Sequence, residues 1–437
     1  MSKRYWVETL GCPKNQVDSE KLIGTLLADG MEAATSVDQA DLVVVNTCAF
    51  IEAARQESID TVLSLSDQRK AGARVVVTGC MAERYGSELA DALPEADAVV
   101  GFGVPVQLAT RVQAPSGSMT PVTLGRKGVA PAAAAAVPLL DLLNLPRPKS
   151  SSPWAYVKIA EGCDRNCGFC AIPSFRGPQR SRDVSRILDE VEALEVQEIV
   201  LVAQDLASYG KDRPSELGAG AIVDLVAAVA AKVRRTRLLY LYPSDLSDLL
   251  IDTMLATGVP YFDLSLQHVS KPLLRRMRRW GDGDRFLRRI TDIRERSSDA
   301  SFRSNFIVGY PGETEEDHDQ LLSFVAEADL DWCGFFAYSP EEGTYAYDLE
   351  GRVPAPIVRD RMAELTELQD RITARKRDSL IGRTVEVLVD EVGVARSVRE
   401  APEIDGVIHV PTSLERGSFA DVRIVGALGP DCTAELS

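Results

Sequence analysis

Ala155-Tyr156-Val157-Lys158-Ile159-Ala160-Glu161-Gly162-Cys163-Asp164-Arg165-Asn166-Cys167-Gly168-Phe169-Cys170 runs from a strand-like apolar stretch straight into three closely spaced cysteines. The thiols of Cys163, Cys167 and Cys170 follow a Cys-x3-Cys-x2-Cys spacing. A structural zinc would want a fourth ligand to close its tetrahedron, and no further cysteine or histidine follows nearby. Three thiolates can instead hold three irons of a 4Fe-4S cluster and leave the fourth iron open to a substrate or cofactor. A zinc knuckle or three unrelated thiols are the competing readings.

The strand before this trio opens a series. Apolar runs at 155–160, 198–203, 237–242, 261–266, 304–309 and 333–338 alternate with helical periodicity at 187–194, 222–233, 246–256, 285–294 and 315–328. Six βα units with right-handed crossovers predict a partly closed α/β barrel, with a doubly wound open sheet as the competing topology. In either case chemistry belongs at the carboxyl ends of the strands.

Upstream, the same alternation recurs on a smaller scale. β-rich runs at 5–9, 42–45 and 75–77 lead to Cys12, Cys48 and Cys80, and helical patterns at 17–29 and 56–65 follow the first two. Parallel βα units are again expected, which puts these cysteines on one sheet edge although they lie 36 and 32 residues apart in sequence. Three thiols at equivalent strand ends suggest a second cluster site; inert core cysteines are the plainer reading. Downstream of a helical stretch at 355–376, β-runs at 384–389, 406–410 and 419–425 predict a small all-β barrel. Prolines 115, 121, 131, 138, 146 and 148, with an alanine tract at 132–136 and a serine triplet at 150–152, mark a connector. The expected division is residues 1–115, a linker at 116–152, a barrel at 153–376 and a β-barrel at 377–437.

Of 437 residues 45% are hydrophobic, which excludes disordered and collagen-like classes. The formal charge of −16 makes general nucleic-acid binding unfavourable without a local basic patch. Charges at Lys3 and Arg4 interrupt any signal-like apolar start, and the apolar run at 131–146 is broken by Pro138 and Asp141. A cytoplasmic protein without a membrane span is expected, and its eight cysteines are then expected to serve metal or catalysis rather than disulfides.

The barrel trio resembles that of the radical S-adenosylmethionine superfamily. The whole chain, with its three-cysteine amino-terminal domain and a terminal β-barrel similar to a TRAM domain, resembles the methylthiotransferases. Four stretches resemble the branch that modifies an aspartate of ribosomal protein S-twelve. They are Gly11-Cys12-Pro13-Lys14-Asn15-Gln16-Val17-Asp18-Ser19-Glu20, Asn46-Thr47-Cys48-Ala49-Phe50-Ile51, Ile172-Pro173-Ser174-Phe175-Arg176-Gly177 and Tyr338-Ser339-Pro340-Glu341-Glu342-Gly343. Many members carry proline where Ser265 stands here, and Met81 follows Cys80; neither is an expected ligand.

That resemblance implies two 4Fe-4S clusters, on Cys163, Cys167 and Cys170 and on Cys12, Cys48 and Cys80. It implies S-adenosylmethionine as methyl donor and as source of a 5′-deoxyadenosyl radical, chemistry that side chains alone do not supply. It further implies that Phe169 borders the adenine, that Gln204, Gln267 and Arg303 hold the cofactor, and that Arg303 pairs with its carboxylate. An external electron donor is implied as well. The alternatives are the same chemistry on a transfer-RNA adenosine, a non-catalytic iron–sulfur carrier, and an RNA-binding protein with structural metal.

Charge favours the protein-modifying branch. Residues 381–437 hold five basic side chains (Arg383, Arg396, Arg399, Arg416, Arg423) against ten acids. These are Glu386, Asp390, Glu391, Glu400, Glu403, Asp405, Glu415, Asp421, Asp431 and Glu435. An RNA-tracking module would need the opposite sign, whereas an acidic one suits a basic ribosomal protein or the small subunit that carries it. The one strongly basic run, Arg275, Arg276, Arg278 and Arg279 with Arg285, Arg288 and Arg289, reads either as a solvated helix face or as a contact with ribosomal RNA. His268 reads as a buried, satisfied histidine, His318 and His409 as surface or packing residues, and Cys333 and Cys432 as ordinary thiols.

Overall fold

Leu42-Val43-Val44-Val45-Asn46-Thr47 is buried along its whole length, as a central parallel strand covered on both faces must be. The computed structural model describes residues 2–106, 141–218 and 220–437, and the chain forms two compact units. The first comprises the chain up to Pro148 together with Ile172–Pro178. Its sheet runs in the order Glu32–Ala33, Arg4–Thr9, Leu42–Thr47, Arg74–Gly79, Ala98–Val99, every pair parallel. Thr9 lies opposite Asn46 and Asn46 opposite Thr78, so the three principal strands end level.

Helices Pro13–Ala28, Glu52–Gln68 and Cys80–Ala92 follow those three strands. The third was not expected from sequence, because Gly86 (φ 47°, ψ −113°) kinks it and breaks its periodicity. Most of the expected connector (116–140) lies outside the described residues. Its described end is docked. Leu142 and Leu143 are buried, Lys21 Nζ donates to the Leu143 carbonyl at 2.6 Å, and Arg147 pairs with Glu20.

The second unit contains the six expected parallel strands. Trp154–Lys158, Glu198–Val202 and Arg235–Leu238 form one ladder, and Tyr261–Gln267, Ser301–Val308 and Trp332–Ala337 another. A bridge between Leu241 and Leu264 joins the two. That is the partial α/β barrel. The small barrel is closed in the order Thr384–Glu391, Val394–Arg396, Ile408–His409, Asp431–Leu436, Phe419–Leu428. Two of its strands, Val394–Arg396 and Asp431–Leu436, escaped the sequence reading, being short or carrying Asp and Glu among few apolar positions. Cys432 packs in its core. No helix among the described residues is long and apolar enough to cross a membrane.

The two barrels share one unit through buried charge. Glu198, fully buried at the start of its strand, accepts from Arg237 Nε at 2.9 Å and lies 3.0 Å from Arg396 Nη1. Arg396 also holds Asp390 at 2.5 Å, and Arg235 donates to the carbonyls of Arg396 and Glu386, each at 3.0 Å. Burial pushes the Glu198 carboxyl up, but Arg396, Arg237 and Arg235 outweigh it and hold it at about 2.

Removing one partner from such a network leaves the others buried without countercharge, which costs about 3–5 kcal/mol. Glu198→Gln is therefore expected to lower the free energy of unfolding by an amount in that range. The depressed carboxyl stabilises the fold above its ordinary value of 4.5, and that contribution disappears as pH falls toward about 2. The variant should lose this limb of the acid-unfolding curve, as chemical denaturation at stepped pH would read out.

Candidate functional site

In the first unit the level strand ends deliver all three cysteines to one edge. Cys12 caps the helix Pro13–Ala28, its carbonyl accepting from the Asn15 and Gln16 amides at 2.8 and 3.2 Å. Cys48 directly follows Leu42–Thr47, and its amide donates to Ser58 Oγ at 3.1 Å. Cys80 opens its helix. Gly11 makes the approach possible. At φ +93° it leaves no room for a side chain, since a Cβ there would stand 2.8 Å from Cys48 Cβ and 2.9 Å from its Sγ.

The thiols feel one another. Burial pushes Cys48 up to about 12, and the charges of Cys12 and Cys80 add to the rise. Burial also raises Cys80, against the opposing pull of Arg176. For Cys12, Lys14, Arg176 and the Asn15 and Lys14 amides outweigh burial, and its thiol is lowered. An all-thiol donor set suits a soft metal or an iron–sulfur cluster. Three thiols brought to one sheet edge, with no other donor type among them, fit a four-iron cluster that leaves one iron open.

The barrel trio follows Trp154–Lys158 and the two-residue strand Ala160–Glu161. Gly168 pins the loop: its amide donates to the Met277 carbonyl at 2.8 Å and its carbonyl accepts from the Ala346 amide at 2.7 Å. A Cβ at Gly168 would meet Tyr310 Oη at 2.9 Å. The Arg165 amide lies 3.4 Å from Cys163 Sγ, and Arg279 Nη1 lies 3.4 Å from Cys167 Sγ. Burial lifts Cys163 to about 11. Arg165 and Arg279 both stand 3.9 Å from the centroid of the Tyr242 ring, and Arg165 is further held by Asp205 at 2.6 Å and by Asp245.

The remaining expected residues divide. Gln204 Nε2 donates to Glu161 Oε1 at 2.6 Å, and its buried Oε1 lacks a partner among the described residues. Phe169 is half-buried against the barrel core. Gln267 ends its strand at φ 71°, a left-handed conformation that costs a residue other than glycine about 1–2 kcal/mol. Arg303 lies elsewhere. It is the third residue of Ser301–Val308, about 17 Å of strand from the carboxyl end. Its guanidinium donates to Asp405 Oδ1 at 2.8 Å and to the Ile404 carbonyl at 3.2 Å. The structure does not bring it together with the cysteine loop.

His268 is fully buried, its Nδ1 accepting from the Ser270 amide at 3.1 Å, and burial pushes its pKa down to about 4. His318 Nε2 lies 2.8 Å from Glu364, His409 is exposed, and burial raises the Cys333 thiol.

Arg176, Asn15 and Arg279 were missed as site residues. The first two lie in Ile172–Gly177 and Gly11–Glu20, stretches whose cysteines and family resemblance mask the role of a single polar side chain. Arg279 lay inside a basic run in which sequence cannot tell inward from outward side chains.

Many side chains of that run and of the acidic tail have partners within the same unit. Arg279 donates to the Ser265 carbonyl and faces the Cys167 loop, Arg276 donates to the Glu350 carbonyl at 3.1 Å, and Arg289 pairs with Asp248 at 2.5 Å. Only Arg275, Arg278, Arg285 and Arg288 of the seven are exposed. In the small barrel, Glu386 pairs with Arg234 and Arg235, Asp390 with Arg396, Glu400 with Arg377 and Asp405 with Arg303. Much of the acidic excess thus neutralises cations of the same unit.

Comparison with known proteins agrees with this anatomy. Residues 4–101 match the uncharacterised protein family UPF0004, residues 157–325 the radical SAM superfamily and residues 381–436 the TRAM domain. The ribosomal protein uS12 methylthiotransferase RimO of Kineococcus radiotolerans is 41% identical, covering 99% of this chain and 97% of its own. Its counterpart in Moorella thermoacetica is 42% identical over 93% of each chain. Among solved structures, the radical S-adenosylmethionine methyltransferase TsrM of Kitasatospora setae is a distant likeness, with 15% identity, a TM-score of 0.46 and coverage of 78% and 77%.

Gly11→Ala is expected to displace Cys48 and to force an unfavourable backbone, at a cost of about 1–2 kcal/mol before the clash is counted. Made in a protein whose barrel trio is replaced by alanine, it should remove most of the remaining iron, as colorimetric iron analysis would show. Undiminished iron would mean that the strand-end cradle does not hold the cluster.

Proposed function

The chain belongs to the ribosomal protein uS12 methylthiotransferase RimO family, and from that premise we propose that it replaces a β-carbon hydrogen of an aspartate in uS12 by a methylthio group. The observation that carries this reading is the pair of cysteine trios, each at the carboxyl ends of parallel strands, within a chain matched along nearly its whole length by such enzymes. Both trios would hold 4Fe-4S clusters. Held by Cys163, Cys167 and Cys170, the barrel cluster would supply one-electron reducing power for radical chemistry on S-adenosylmethionine, which would also be the methyl source.

The chain's own residues then have separate tasks. Gln204 offers its buried, unpartnered Oε1 to the cofactor, Phe169 borders the adenine, and Gln267 presents its side chain from a strained strand end. Arg165 and Arg279, stacked on Tyr242, hold the cysteine loop in place. Arg303 belongs to the joint with the small barrel rather than to the cofactor. The exposed Arg275, Arg285 and Arg288 would meet ribosomal RNA beside the target. An external donor supplies the electron, and the reaction belongs in the cytoplasm, where ribosomes are.

A strain lacking the gene, complemented with trio variants, tests the reading. Purified wild-type protein should carry about eight irons, four per cluster, and should restore the methylthio group on uS12 while transfer RNA is unchanged, both by mass spectrometry. Alanine at Cys163, Cys167 and Cys170 should halve the iron and abolish 5′-deoxyadenosine. Alanine at Cys12, Cys48 and Cys80 should abolish methylthiolation but leave some cleavage of S-adenosylmethionine. Restored modification of transfer RNA instead of uS12 would assign the other branch.

The remaining surface acids give a second test. Glu391, Glu415 and Asp421 are exposed, so reversing them to Lys spares the internal ion pairs. Weaker binding to uS12 and a shallower salt dependence are expected, with substrate-free cleavage of S-adenosylmethionine unchanged. Equal affinity and equal salt slope would remove the electrostatic part of the argument.

A further inference from the structure

We propose that Arg176 positions Cys80 and sets the reduction potential of the amino-terminal cluster. The inference rests on the reading that Cys12, Cys48 and Cys80 hold such a cluster. The Arg176 side chain is only 3% exposed, and its guanidinium is always charged. Its fork is fully directed: Nη1 donates to Asp18 Oδ2 at 3.0 Å, and Nη2 to Asn15 Oδ1 at 2.7 Å and to Cys80 Sγ at 3.0 Å. Its face covers the Phe102 ring with 4.2 Å from the guanidinium carbon to the centroid.

Asn15 is itself locked, since its Nδ2 donates to the carbonyls of Leu10 at 2.9 Å and Thr47 at 3.0 Å. Its carbonyl accepts from Asn46 Nδ2 at 2.8 Å. The fork therefore cannot rotate away from the sulfur without breaking contacts on strand ends and helix alike.

Reduction adds negative charge to a cluster, and potentials follow the net charge around it and the hydrogen bonds to its sulfurs. A buried cation donating to a ligand thiolate favours the reduced form and raises the potential. Asp18, buried on the far arm of the fork, offsets part of that charge and lowers it. The pair makes opposite contributions from one geometry. A residue that only filled space would have no such signature.

The test uses the full chain with Cys163, Cys167 and Cys170 replaced by alanine, so that iron reports the amino-terminal trio alone. Iron content and the midpoint from an electron-paramagnetic-resonance redox titration are measured together. Arg176→Gln should lower the midpoint, Asp18→Asn should raise it, and Arg176→Lys should recover part of the loss. If Arg176→Gln does not retain iron, the upward shift in Asp18→Asn and the intermediate midpoint of Arg176→Lys carry the test. Full iron with an unshifted midpoint in Asp18→Asn and Arg176→Lys overturns the assignment. Absence of iron from the parent protein would instead sink the cluster reading, an outcome distinct from failure of Arg176.

Discussion

A parallel strand can be joined to its neighbour only by a crossover that carries the chain back to the start of the sheet. Every strand of a parallel sheet therefore releases its chain at the same edge, and residues far apart in sequence meet there without any local motif. Both units of this protein are built on that constraint. In the first it gathers Cys12, Cys48 and Cys80 from three separate strand ends. In the second it sets the Cys163–Cys167–Cys170 loop, Gln204 and Gln267 on the carboxyl side of the barrel strands. The opposite ends of those strands are left free for a structural task.

That task is the attachment of the small barrel. Glu198, Arg235, Arg237 and Arg303 stand at or near strand starts and are answered by Glu386, Arg396 and Asp405. Removal of these groups from water is costly, and only near-complete pairing offsets it. Arginine suits the place because its planar fork serves two acceptors at once, as Arg396 does for Asp390 and Glu198. A module held this way is part of the barrel's foundation.

Those two uses of strand ends explain what was legible in the sequence. The apolar runs and helical periods gave the six-strand barrel, the helix boundaries within a few residues and the existence of the terminal β-barrel. The helix Cys80–Ala92 was not legible because Gly86 interrupts its period. The cysteines stood out because thiols are few and their spacing is chemically meaningful. Charged residues were harder. Arg303 was read from resemblance as a cofactor ligand, yet its partner Asp405 is 102 residues away and no periodicity links them. The acids of the small barrel were read as surface for the same reason, since composition counts charges without locating their partners. Arg176 sits in the Ile172–Gly177 stretch, but its contact with Cys80 spans 96 residues.

The first unit is discontinuous: the chain leaves it after Pro148, re-enters for Ile172–Pro178 and leaves again. Phe175, in that insert, packs against the core of the first unit. A gene fragment beginning at residue 149 would inherit Phe175 and Arg176 without the core and carboxylate that receive them. A fragment ending at residue 148 would keep Asp18 and Cys80 and lose their guanidinium. Recombination at the apparent boundary would thus exchange incomplete parts, so the amino-terminal module and the first barrel loop are expected to be inherited as one piece.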